Sequence, residues 1–135
     1  MSAITIGELS LRTGVRIATI RSYEDAGLLS PPARTTGGQR RYDEDDAHRL
    51  VFIKHARRLG FEVPEVRDLV HLDDRADMVD AEHRKVAAAY LQLVRDKIER
   101  LKILEAELGR ITSEARQGRR ARSTLTRILD PSTPA

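Results

Sequence analysis

The 135-residue chain has no cysteine and no tryptophan, and aromatic residues make up only 4% of it. Without thiols there can be no disulfide, thiolate metal site, Fe–S cluster or thiol redox sensor. No apolar run approaches the roughly 20 residues needed to span a bilayer. The N-terminus also lacks the basic-then-apolar layout of a signal peptide. A cytoplasmic protein is therefore expected. No phosphate-cradling glycine loop, nucleophile–base pair or metal-ligand spacing occurs in the chain, so nothing supports an enzyme or a resident cofactor.

What is present is ordinary for a helix-rich soluble protein: 40% hydrophobic and 33% charged residues. The net charge of +3 conceals strong clustering. Six arginines face only Glu24 and Asp25 between Arg12 and Arg41, and five arginines without an acid occupy Arg116 to Arg127. Acids dominate Asp43 to Asp46 and Asp73 to Asp80. Such local clustering says more about partners than the total does.

Thr5 followed by Glu8 has the spacing of a capping box. It predicts a first helix over about Ile6 to Arg12, with Ile6, Leu9 and then Val15 facing inward. Gly14 offers the positive φ that a tight inter-helix turn needs. A second helix, roughly Ile17 to Ala26, should bury Ile17, Ile20 and the ring of Tyr23 or Leu28. That arrangement leaves Arg16, Thr19, Arg21 and Ser22 more exposed, and Gly27 closes the helix.

Pro31-Pro32 forbids helix. Thr35-Thr36 and Arg40-Arg41-Tyr42 read as two short strands joined through Gly37-Gly38. Asp43 should cap a third helix over about Glu44 to Leu59, with Ala47, Leu50, Val51, the Lys54 stem and Leu59 as its apolar face. A short fourth helix over Pro64 to Leu72 should bury Val66, Leu69 and Val70. Helix, glycine turn, arginine-bearing helix and basic hairpin together form the layout of a winged helix-turn-helix, which makes DNA the expected partner.

From about Met78 to Arg116 there is no proline and a single glycine. Ala87, Leu91, Val94, Ile98, Leu101, Leu104, Leu108 and Ile111 fall at steps of three and four, a coiled-coil seam with one irregular step. A helix this long cannot bury such a stripe on its own small domain, so a second copy is expected. The chain thus divides into a DNA-binding domain at 1–75, a dimerisation helix at 76–116 and an Arg-rich tail at 117–135. The class is mainly all-α, with a small β-hairpin wing.

These residues together resemble the MerR family of transcriptional regulators. Thr19-Ile20-Arg21-x-Tyr23-Glu24-x-x-Gly27-Leu28-Leu29 is similar to the family's recognition helix, and Arg34-Thr35-x-x-Gly38-x-Arg40-x-Tyr42 to its wing. Arg58-Leu59-Gly60-Phe61 before a short helix is similar to the second wing region. The resemblance implies a homodimer with an antiparallel coiled coil. Each half would present one winged helix to a pseudo-palindromic promoter operator. It further implies action with RNA polymerase, by distorting DNA whose promoter spacer is overlong.

Within that frame Arg16 and Arg21 suit phosphate or a guanine edge, and Thr19 a phosphate or a thymine methyl. Tyr23 could reach a phosphate or serve as a core aromatic. Arg34, Arg40 and Arg41 would straddle the backbone with Gly38 and Gln39 at the turn; Ser22 and Tyr42 are expected in the same DNA-contacting set, and Tyr42 would also pack the hairpin against the domain. Glu24 should pair with an arginine of its own domain. Ser22 and Gln39 replace aromatics common at those places, which affects operator preference rather than DNA binding.

Metal-sensing relatives place a cysteine pair around a loop after the dimer helix. Here the aligned positions are Ala115 and Ser123, with Asp80 where a third ligand can stand. Soft-metal binding is not expected without thiolates. A harder site from Asp74, His71, Asp80 or His83 lacks any metal spacing, and His48 and His55 lie on the third helix. A large C-terminal ligand domain is not expected. An effector-independent architectural DNA-bending protein, or a simple repressor, is the alternative reading.

Overall fold

The structure is a computed structural model that describes residues 3–30, 32–75, 80–118 and 125–129. Backbone contacts divide the chain into two compact units, residues 1–79 and 80–135. The first unit carries α1 (Ile6–Thr13), α2 (Ile17–Asp25), β1 (Ala33–Arg34), β2 (Arg40–Arg41), α3 (Glu44–Arg58) and α4 (Val63–Asp74). The second is built on α5 (Ala81–Arg116).

Local signals start and stop these helices. Thr5 Oγ1 accepts from the Glu8 amide at 3.2 Å, which is half of the expected box. Gly14, at φ 73°, ends α1 and lets the chain turn into α2. Thr13 stiffens that turn: its buried hydroxyl donates to the Leu9 carbonyl at 2.8 Å and accepts from the Val15 amide at 3.3 Å. At α3 the capping box is complete, since Asp43 and Asp46 each accept from the other's amide at 2.9 Å.

α1 packs on α2 and α3, and α3 on α4. Leu9, Ile20, Leu28, Leu50, Ile53 and Val66 are sealed from solvent at their centre. Each such side chain stabilises the fold by about 1.5–3 kcal/mol. The buried face of α3 is Ala47, Leu50, Ile53 and Ala56, not the expected line through Val51 and Leu59. Val51 is partly exposed and Leu59 largely so. Packing against α1 and α4 from two sides rotates the face toward Ile53. Ile17 likewise lies at the surface and Leu69 is half-buried, whereas Phe61 joins the core.

The hairpin register also differs from the sequence expectation. Ala33 pairs with Arg41 and Arg34 with Arg40, so the first strand precedes Thr35-Thr36. Those threonines belong to the turn: the Gly38 amide donates to the Thr35 carbonyl, and the Thr35 amide to the Gln39 carbonyl, both at 2.9 Å. Ile4 and Tyr42 exchange backbone bonds of 2.8 Å, which fastens the hairpin's end to the chain's start.

α5 starts at Asp80, whose side chain accepts from the His83 amide at 2.7 Å. The four residues before it, 76–79, lie outside the described residues, as does the expected start at Met78. No residue of α5 is buried. Leu91, Val94, Ile98, Leu101 and Leu108 are 36–61% exposed, with Leu104 and Ile111 intermediate. Arg110 bridges Glu107 and Glu114 on the helix surface, at 2.6 and 2.9 Å. Among the described residues no helix is long and apolar enough to cross a membrane.

Candidate nucleic-acid interface

α2 carries the sequence-predicted contacts on its outer face. Arg16 stands at the N-cap in extended conformation. Arg21 and Ser22 are exposed, while Thr19 and Tyr23 are intermediate. The period of 3.6 explains this division: Ile20 points into the core, so its neighbours on either side point away.

The wing is ordered from within. The Arg34 guanidinium donates to the Gly38 carbonyl at 3.1 Å, and the Gln39 amide to Thr35 Oγ1 at 3.2 Å. Arg41 reaches the Gln39 side-chain oxygen at 3.4 Å. Gly38 sits at φ 82° with open space around it, so its backbone conformation rather than crowding calls for glycine.

Tyr42 and Glu24 tie the wing to α2. Tyr42 is 3% exposed, and its hydroxyl donates to Glu24 Oε1. Burial, and then the Glu24 carboxylate, push that hydroxyl well above the ordinary phenol range. Arg40 Nε lies 3.3 Å from Glu24 Oε2. Tyr42 is thus a wing anchor in the core, and its hydroxyl is engaged inside the protein rather than offered to a ligand. Glu24 pairs with an arginine of its own domain, as its neighbourhood in the sequence suggested.

Through these ties the fold brings distant residues to one place. Arg21 of α2, Gly38, Gln39 and Arg40 of the wing, and Thr5 and Ile6 at the start of α1 line a single cleft of about 270 Å³. Two guanidinium-bearing side chains beside a helix N-terminus form an anion-favouring surface. A second contact supports the scaffold: Arg12 of α1 meets Glu44 of α3 at 2.6 Å, and that hydrogen bond holds the Glu44 carboxyl below its usual range.

Two cations without a local sequence signal act on helix ends. Lys54 Nζ donates to the Thr13 carbonyl at the end of α1, at 2.9 Å. Arg67 donates to the Ala26 carbonyl at the end of α2, through Nε at 2.9 Å and Nη2 at 2.6 Å. A basic residue on a later helix carries no local mark of such a role.

The sequence profile described as MerR HTH family regulatory protein matches residues 4–72. That stretch spans both helices, the wing and α3, and reaches into α4. The chain belongs to the MerR family of transcriptional regulators. A second MerR profile, described as DNA binding, matches residues 47–111 and so extends the MerR assignment along most of α5. The mercuric resistance operon regulatory protein of Serratia marcescens is 39% identical over 117 residues, covering 85% of this chain and 80% of that protein. Among solved MerR-type structures, the regulator PbrR691 from Ralstonia metallidurans CH34, in complex with lead(II), is 36% identical with a TM-score of 0.57. The alignment covers 90% of this chain and 91% of that one. A MerR family regulator from Listeria monocytogenes shares the fold at a TM-score of 0.71 and 23% identity, over 85% of each chain.

The positions at which the sequence predicted an effector region have local structural roles where they are described. Asp80 serves as the N-cap of α5. Ala115 lies in its last turn, where its carbonyl accepts from the Gly118 amide at 3.1 Å, with Gly118 at φ 72°. Ser123 lies outside the described residues, with residues 119–124. Among the described residues no three His, Asp or Glu side chains gather as a metal site would require.

Proposed function

We propose that this MerR-family regulator works as a cytoplasmic homodimer, without catalysis, on a pseudo-palindromic promoter operator. The observation that carries the reading is the cleft that joins Arg21 of α2 to Gly38, Gln39 and Arg40 of the wing beside the start of α1. Arg21, Ser22, Thr19 and Arg16 enter the major groove or its rim, with Tyr23 at the edge. Arg34, Arg40 and Arg41 follow the flanking phosphates. Base edges supply sequence choice and phosphates supply register and most of the salt-dependent affinity.

The α5 stripe from Leu91 through Val94, Ile98, Leu101, Leu104 and Leu108 to Ile111 joins the two copies. An apolar row left this exposed along one helix needs a matching row, and an identical chain supplies it by two-fold symmetry. The dimer distorts the promoter for RNA polymerase. Its divisions fall at about 1–75, 76–116 and 117–135. Without a single cysteine, any signal it takes near Asp80, Ala115 and Ser123 does not pass through a thiolate site.

The test uses the DNA upstream of the protein's own gene. Footprinting should show one protected imperfect palindrome, and sedimentation should show two chains per duplex. Equal affinity for that DNA and for a scrambled duplex of the same length would overturn the reading.

A further inference from the structure

We propose that Arg67 of α4 is a positioning residue that sets the angle of α2, and thereby the discrimination between operator and other DNA. The inference rests on α2 being the DNA-reading helix.

α2 ends poorly by its own means. Its last turn contains Glu24 and Asp25 and no basic residue, so two acids stand at the negative end of the helix dipole. The backbone closes part of the end: the Gly27 amide donates to the Glu24 carbonyl at 3.0 Å and the Leu28 amide to the Tyr23 carbonyl at 2.9 Å. Gly27, at φ 78°, makes that closure possible. The Ala26 carbonyl is met from outside the helix, by both Nε and Nη2 of Arg67. A rigid two-pronged donor fixes both the distance and the direction of the group it holds, which an ammonium cannot do.

The donor's own base is firm. Arg67 is flanked on α4 by Val66 and, one turn later, Val70, which are 0% and 3% exposed. The contact spans 41 residues, the same separation as that from Lys54 to Thr13. The two helices of the turn therefore borrow their terminal cations in order, α1 from α3 and α2 from α4. α1 has a basic residue of its own in the last turn, Arg12; α2 has none, and while Arg40 meets the Glu24 side chain there, the cation on the terminal carbonyl of Ala26 is Arg67.

A helix held at its C-terminal end turns about that end. Loss of the fork lets Thr19, Arg21 and Ser22 shift together. Base-edge hydrogen bonds tolerate a few tenths of an ångström, whereas phosphate contacts adjust through flexible arginines. Discrimination is thus more sensitive than general DNA affinity.

Two full-length variants test this, Arg67→Met, which keeps the stem without donors, and Arg67→Lys, which keeps charge with a single donor group. The probes are a duplex from upstream of the protein's own gene and a scrambled duplex of equal length. Arg67→Met should bind the first about tenfold more weakly and the second within twofold of the unchanged protein, with Arg67→Lys between. Amides of Gly27 and Leu28 should exchange faster in Arg67→Met. A general loss of folded protein would weaken both probes by one factor, leaving their ratio unchanged; that unchanged ratio in the variants, in Arg67→Lys alone if Arg67→Met loses its helical circular dichroism, would overturn the proposal. Failure of the unchanged protein to discriminate the duplexes would instead strike the DNA-reading assignment itself.

Discussion

The Tyr42 hydroxyl donates to the Glu24 carboxylate across 18 residues, joining the residue that follows β2 to α2. Because burial and Glu24 raise its folded pKa, the folded protein keeps a proton that the unfolded chain releases near pH 10. The stabilisation is complete below that pH and fades as pH climbs above it. Tyr42→Phe should cost about 1–2 kcal/mol at pH 7 and lose this alkaline decline. Urea midpoints from pH 8 to 11 decide the matter, and parallel declines in both proteins would contradict it.

Arg21 shares the cleft with the wing and has no other structural duty among the described contacts. Arg21→Ala should weaken operator binding by about 1–3 kcal/mol and relax preference at one base pair. Binding to a set of single-base operator variants measures both effects. An unchanged profile would remove Arg21 from the reading set.

Gly14 is required by its backbone conformation, and a side chain there would also push aside the tip of Lys54. The Gly14 φ is 73°, and a Cβ there would come within 2.8 Å of Lys54 Nζ. Gly14→Ala should therefore cost about 1–3 kcal/mol, from backbone strain and displacement of the ammonium from Thr13. Lys54→Met should cost less in the Gly14→Ala background than alone, because part of the interaction is already gone. Strictly additive denaturation energies would refute this coupling.

Leu101 is 61% exposed in the single chain, so a polar residue there leaves the helix itself intact. Leu101→Asp should weaken the dimer at least a hundredfold, about 3 kcal/mol shared over two copies. Sedimentation equilibrium reads the change. A full-strength dimer would place the seam elsewhere on α5.

Mercury(II) and lead(II) should leave transcription from the target promoter flat, since the chain offers no thiolate. In vitro transcription across a metal titration checks this. A response would mean that oxygen and imidazole ligands suffice.

Much of the arrangement was legible in short stretches. Asp43 with Asp46, Gly14 after Thr13, and Gly27 after α2 act within four residues, so their effect on the backbone is the same in any fold. The alternation that exposes Arg21 and buries Ile20 follows from helix period alone. The strand register was not legible, because Thr35 and Thr36 have good strand propensity. What moves the pairing to Ala33–Arg34 is the turn closed by Thr35 and the fastening of Tyr42 to Ile4. The α3 face escaped for a related reason: Val51 and Ile53 are equally apolar, and only the positions of α1 and α4 choose between them.

The sequence by itself determined the helices, their caps, the glycine turn and the unpartnered stripe on α5, all through forces that act within a turn or repeat along one helix. Only the tertiary structure decided that Tyr42 goes inward to Glu24, that Arg21 meets Arg40 in one cleft, and that Lys54 and Arg67 close the ends of α1 and α2. Each of those pairings joins residues 18 to 41 apart. At such separations the chain's local preferences say nothing about who will be neighbours, and the packing of the core makes the choice.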